Sequence, residues 1–148
     1  MKMSLKALVS TALLASLVGG LSSAAKASEF VPLGEGALPS GKLVQNYQFT
    51  LFPGESVPWH YHPGQTYVVV VDGTVTEDKG CGRPADVITA GSAFAELPGH
   101  IHRVFNYGTE PVVVVVTLIV PPRYAGYTST IFVNGPRCED GHEKSDVE

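Results

Sequence analysis

Helical periodicity is the first thing missing from this chain. After Leu21 no stretch of about a dozen residues repeats apolar side chains every 3.6 positions, which excludes a core of amphipathic helices. Basic runs are missing too: ten Lys and Arg are scattered among 14 Asp and Glu, which argues against nucleic acid as a partner. Cysteine is scarce, and neither Cys81 nor Cys138 sits in a CxxC, so dithiol redox catalysis is disfavoured. No apolar run reaches the roughly 20 residues that span a bilayer. The valine-rich run Val112–Val120 has nine residues and is closed off by Pro111 and Pro121. Internal repeats and low-complexity blocks are also absent.

What is present begins with a stretch that has the pattern of an export signal. Lys2 and Lys6 form a basic start, Ala7–Leu21 is mostly apolar, and Ala25–Lys26–Ala27 has the small-x-small form of a cleavage site. Residues 1–27 are therefore expected to be a signal peptide, and the protein to be periplasmic or secreted, with no membrane attachment after cleavage. Three lysines and no acid leave with the signal. Residues 28–148 then hold 7 basic against 14 acidic side chains, a net charge of −7. Export places the cysteines in an oxidising compartment, and an even count predicts the pair Cys81–Cys138, with two free thiols as the alternative.

The exported part reads as one domain. Residues 28–42 are rich in Gly and Pro and are expected to form an irregular N-terminal arm lying across another strand. From Leu43 on, short alternating or β-branched runs are separated by turn residues such as Pro53–Gly54, Pro63–Gly64, Asp72–Gly73 and Pro98–Gly99. The runs are 43–52, 57–62, 66–71, 74–77, 86–89, 92–97, 101–106, 112–120 and 127–133. The unbroken run 112–120 has the pattern of a strand covered on both faces. Such spacing predicts an all-β closed barrel or two-sheet jelly roll over residues 43–121. Residues 122–148 form a C-terminal extension, with a tail expected to lack structure past Cys138.

Four of the five histidines lie in two short segments, His60–Tyr61–His62 and His100–Ile101–His102. In an extended strand His60 and His62 share one face, about 7 Å apart by strand rise, and two such imidazoles can grip one metal ion. Trp59 and Tyr61 take the other face; with Tyr67 they are expected to serve sheet packing or a dimer face, a substrate wall being the alternative. His100, in a turn, is expected at the rim. Arg103 faces away from His102 and is expected at the surface. Asn106 is expected to hold a loop with its side chain.

These residues carry a resemblance to the cupin superfamily. Gly54, five residues, His60, Tyr61, His62, three residues, Thr66, six residues and Gly73 resemble the first cupin motif. Gly91, five residues, Leu97–Pro98–Gly99, two residues, His102, three residues and Asn106 resemble the second. Cys81–Gly82 with a late Pro136–Arg137–Cys138 also resembles a set of small exported cupins. The resemblance implies a jelly-roll β-barrel (double-stranded β-helix) in which His60, His62 and His102 converge on a metal. Thr66 departs from it, standing where the family has a ligating Glu. Gln65, Thr66 or Glu96 is then the candidate fourth ligand, with water as the other occupant.

Three imidazoles favour Fe, Ni, Cu or Zn over Mn as the divalent ion. The function classes that follow are a metal-dependent, dioxygenase-like enzyme acting on a small molecule, a non-catalytic cupin that holds a small molecule or a metal, and a structural barrel that dimerises. A homodimer is the expected assembly.

Overall fold

The structure, a computed structural model, describes residues 28–139 and 142–143; the expected signal peptide lies outside them. The β-branched runs form strands β1 (Glu29–Ala37), β2 (Leu43–Leu51), β3 (Ser56–Tyr61), β4 (Gln65–Asp72), β5 (Thr74–Asp78), β6 (Asp86–Thr89), β7 (Ala93–Glu96), β8 (His102–Phe105), β9 (Val112–Val120) and β10 (Ile131–Phe132). A two-residue pairing of β11 (Cys138–Glu139) with β12 (His142–Glu143) follows. Pro122–Tyr124 forms a single 3-10 turn. Among the described residues no helix is long and apolar enough to cross a membrane.

Two antiparallel sheets result, in the orders β1-β2-β9-β4-β7 and β10-β3-β8-β5-β6. Neighbours distant in sequence, such as β2 with β9 and β3 with β8, require the chain to cross repeatedly between the sheets. That is the expected all-β jelly-roll barrel, a double-stranded β-helix. One core cluster joins Tyr47, Val68, Val116, Leu118 and Val120; a second joins Leu51, Val70, Val75 and Val112. Each such side chain contributes roughly 1.5–3 kcal/mol when fully buried.

Four expectations need correction. The Gly- and Pro-rich arm is not irregular: β1 pairs with β2 over its whole length, interrupted by one register shift between Pro32 and Gly34. An edge strand tolerates proline because the missing N–H is on the open side. The valine run in β9 is fully covered on one face and only partly on the other. Val112, Val116, Leu118 and Val120 are buried, while Val113, Val115 and Ile119 are half-buried, shielded by their neighbours in β2 and β4. The strand expected over 127–133 shrinks to Ile131–Phe132. Beyond Cys138 the chain makes the β11–β12 pairing where no structure was expected.

Two residues hold the loops around the histidine strands. A Cβ on Gly64 would stand 2.1 Å from the Ile119 carbonyl oxygen, so the Pro63–Gly64 turn can be this close to β9 only with glycine. Buried Asn106 donates to the carbonyls of Leu51 and Glu110 and accepts from the Gly108 N–H, the loop-holding role expected for it. Asn106→Ala leaves those groups short of partners and is expected to cost about 2 kcal/mol. Urea denaturation of the variant beside the parent measures it.

Candidate metal centre

The alternation of β3 turns His60 inward, and the pairing of β3 with β8 sets His60 opposite His102. His62 follows one step beyond β3, on the same side. All three are almost fully buried. Their ring centroids lie 4.3 Å (60 to 102), 5.1 Å (60 to 62) and 5.6 Å (62 to 102) apart. One nitrogen of each ring comes within 4.8 Å of the others.

Which nitrogen faces the centre follows from the hydrogen bonds. Each Nδ1 sits against a backbone carbonyl: His60 on Pro58 at 2.7 Å, His62 on Ser129 at 2.9 Å, His102 on His100 at 3.0 Å. A carbonyl only accepts, so each Nδ1 carries the hydrogen and donates it. Each Nε2 is left with an open lone pair. Metal-binding histidines are oriented in this way by their outer hydrogen bonds.

A carboxylate stands beside His62 and His102, outside the close group that the three histidines form by themselves. Thr66 of β4 is paired directly with Glu96 of β7. Both are buried, and Glu96 reaches the imidazoles: Oε1 is 3.3 Å from His102 Nε2 and Oε2 is 3.6 Å from His62 Nε2. Oε2 has no hydrogen-bond partner, a costly state for a buried oxygen. The other two candidates point elsewhere. The Thr66 hydroxyl donates to the Gly64 carbonyl, and the Gln65 amide donates to the Glu96 and Thr66 carbonyls. Three open imidazole lone pairs and one orphaned carboxylate oxygen make a donor set that fits a divalent transition metal.

Burial shapes the protonation of these groups. It lowers the pKa of His60, and with the nearby charge of His60 it lowers His62 to about 4 and His102 further. Burial, reinforced by the charge of Glu77, raises Glu96 to about 8. Without metal, a neutral carboxyl group therefore faces neutral imidazoles, and no ion pair forms.

The signs then set the pH dependence of the metal-free protein. The unfolded histidines take up protons below about 6.5 while the folded ones resist, so their stabilisation is lost as pH falls from 6.5 through about 4. Glu96 acts oppositely: its stabilisation, present below about 4.5, is lost as pH rises through about 8. Three imidazoles outweigh the carboxyl group on the acid side, and only the carboxyl group acts on the alkaline side. Stability of the chelator-treated protein is expected to peak between about pH 6 and 7. Urea titrations from pH 4 to 9 locate the peak.

The centre lines a cavity of about 530 Å³ between the sheets. Phe30 and Phe132 line it and are largely exposed, so they stand where it meets solvent. Trp59, Tyr61 and Tyr67 are not in its wall. Trp59 packs beside Gly80, Gly135 and Pro136, with the Arg103 guanidinium 4.4 Å from its ring. Arg103 is also paired with Asp78 through two hydrogen bonds. Tyr67 is exposed on the outer face of the first sheet with Val69 and Val71.

Other residues bear on the site. His100 is half-buried; its ring stacks on His102 and its carbonyl orients that histidine. Glu77, the last residue of the run 74–77, is 1% exposed; with His100 and His102 it forms a second close group of potential ligand atoms. Lys79 Nζ lies 3.5 Å from one Glu77 carboxylate oxygen. Cys81 and Cys138 are joined as a disulfide.

A two-sheet barrel with an inward histidine triad defines a double-stranded β-helix protein with a potential transition-metal site. The family model described as Cupin domain matches residues 47–118, and the chain belongs to the cupin superfamily. Among solved structures, an uncharacterized conserved protein with a double-stranded β-helix domain from Klebsiella pneumoniae is 21% identical, with 75% of this chain and 88% of that one covered and a TM-score of 0.58. DMSP lyase DddQ from Ruegeria pomeroyi is 20% identical, with 72% and 51% covered and a TM-score of 0.57. An oxalate oxidase in complex with the substrate analogue glycolate is 24% identical, with 66% and 53% covered and a TM-score of 0.53. These likenesses establish the fold alone. No curated protein matches the chain by sequence.

Proposed function

We propose that this is an exported cupin that holds one divalent transition metal on His60, His62, His102 and Glu96 and acts on a small molecule there. Glu96 takes over from β7 the part that Thr66 leaves unfilled on β4. The carrying observation is the orphaned Glu96 oxygen facing imidazoles whose Nδ1 atoms are all engaged elsewhere. Four protein donors leave room for a substrate atom on an ion that takes five or six ligands.

When bound, the metal supplies Lewis-acid or redox activation of a coordinated small molecule. The protein orients the imidazoles through the Pro58, Ser129 and His100 carbonyls, places a carboxylate beside them, and excludes water by burial. The open coordination positions make an enzyme the leading reading; the neighbours with enzymatic names, a DMSP lyase and an oxalate oxidase, share the fold. Non-catalytic holding of a metal or small molecule is the second, favoured by the departure at Thr66. The disulfide is compatible with export.

The test is metal affinity in a strand-swap series. Glu96→Ala is expected to weaken binding of Zn or Fe by more than the roughly 10- to 100-fold that loss of an outer partner costs, and adding Thr66→Glu to that variant to recover most of it. Unchanged affinity in Glu96→Ala would remove the carboxylate from the site. Oxygen-uptake or product assays on the loaded parent then separate enzyme from holder.

A further inference from the structure

We propose that the cavity selects a ligand with an apolar body and a single oxygen-donor head of at most one negative charge. The inference rests on the metal reading above. It deepens that reading by naming the class of molecule.

The chemistry of the wall is divided. At one level of the barrel stand His60, His62, His102 and Glu96. The strand registers set the next levels. Val68 is paired with both Phe94 and Val116, and Val70 with Val114, which lies beside Phe49. Val68, Phe94, Val116, Val114 and Phe49 all line the chamber. Apart from the site itself, its polar groups are hydroxyls, chiefly Tyr47, Ser56 and Thr130. No Lys, Arg, Asn or Gln is among the described residues that line it. Its volume, about 530 Å³, is that of a small-molecule site, roughly 300–1,000 Å³.

Charge fixes the head group. A divalent cation beside an ionised Glu96 carries one net positive charge, which one anionic head neutralises. A compact dianion such as oxalate would bury a second negative charge with no basic side chain in the wall to meet it, and unpaired buried charge is strongly disfavoured. The tail has the opposite preference. Each methylene moved from water into an apolar chamber raises affinity about fourfold.

The test uses protein reconstituted with Zn, its content measured by elemental analysis, and three chelating probes: acetohydroxamate, hexanohydroxamate and oxalate. Calorimetry is expected to show hexanohydroxamate binding on the order of 200-fold more tightly than acetohydroxamate, with four more methylenes, and oxalate binding more weakly than either. Val114→Phe, which fills part of the chamber, is expected to cut that 200-fold ratio at least tenfold. Equal affinity for the two hydroxamates, or oxalate as the tightest probe, overturns the inference. If the protein takes up no Zn, the metal reading fails by itself. The chamber is then tested on the metal-free protein with hexan-1-ol and ethanol by ligand-observed NMR: preference for hexanol supports the apolar class, and no preference overturns it.

Discussion

Protein carrying His102→Ala is expected to emerge from metal loading and dialysis with no bound ion, while the parent retains one equivalent. His102 is central by position. It pairs with His60 across the strands, its Nε2 is 3.3 Å from Glu96 Oε1, and its Nδ1 is tied to the His100 carbonyl. Loss of an outer partner of a metal ligand costs about 10- to 100-fold in affinity. Loss of the ligand itself must exceed that. The deficit is also visible in stability, because an ion that binds only the folded state stabilises it. At free metal about 1,000-fold above Kd the gain is about 4 kcal/mol. Thermal melts with and without Zn should show that gain in the parent and none in the variant, both chains melting cooperatively after chelation. A metal-induced shift of equal size in His102→Ala would show that the ion binds elsewhere.

The paired substitution Cys81→Ser with Cys138→Ser is expected to lower folding stability by about 4 kcal/mol, the chain-entropy value for a 57-residue separation. The bond does more than shorten the unfolded chain. It anchors the end of a segment that runs along the mouth of the cavity. Within it, the Ser129 carbonyl holds His62, β10 pairs Phe132 with His60, the Val133 N–H donates to the Trp59 carbonyl, and Gly135 and Pro136 pack near Trp59. A freed segment takes the His62 acceptor with it, so metal affinity should fall about tenfold or more alongside stability. Urea denaturation and metal titration of the same preparation read the two effects. A loss under about 1 kcal/mol, with affinity intact, would make the bond incidental.

Much of this was visible in the residues because strands alternate. The two-residue spacing of His60 and His62 placed them on one face before any fold was known, and the turn residues marked nearly every strand boundary up to Val120. The missing parts depend on who pairs with whom. Thr66 and Glu96 are 30 positions apart, and only the β4–β7 register makes them neighbours. Gln65 is next to Thr66 in the chain, yet strand alternation turns it away from the site. The Ser129 carbonyl is 67 positions from the ring it orients, and a backbone atom leaves no mark in a sequence. Glu77 drew no attention in the sequence because a charged residue before a polar loop usually faces water; here the alternation of β5 buries it with Val75. The arm was misread because Gly and Pro signal turns in most settings, whereas an open sheet edge accommodates both.

One measurement bears on the whole account most directly: anomalous diffraction, at the absorption edge of the loaded metal, from crystals of the Zn- or Fe-reconstituted protein. A single strong peak within ligand distance of the Nε2 atoms of His60, His62 and His102, with Glu96 turned toward it, is the expected result. A peak bound elsewhere on the chain, or fully loaded crystals with nothing between those three rings, would contradict it.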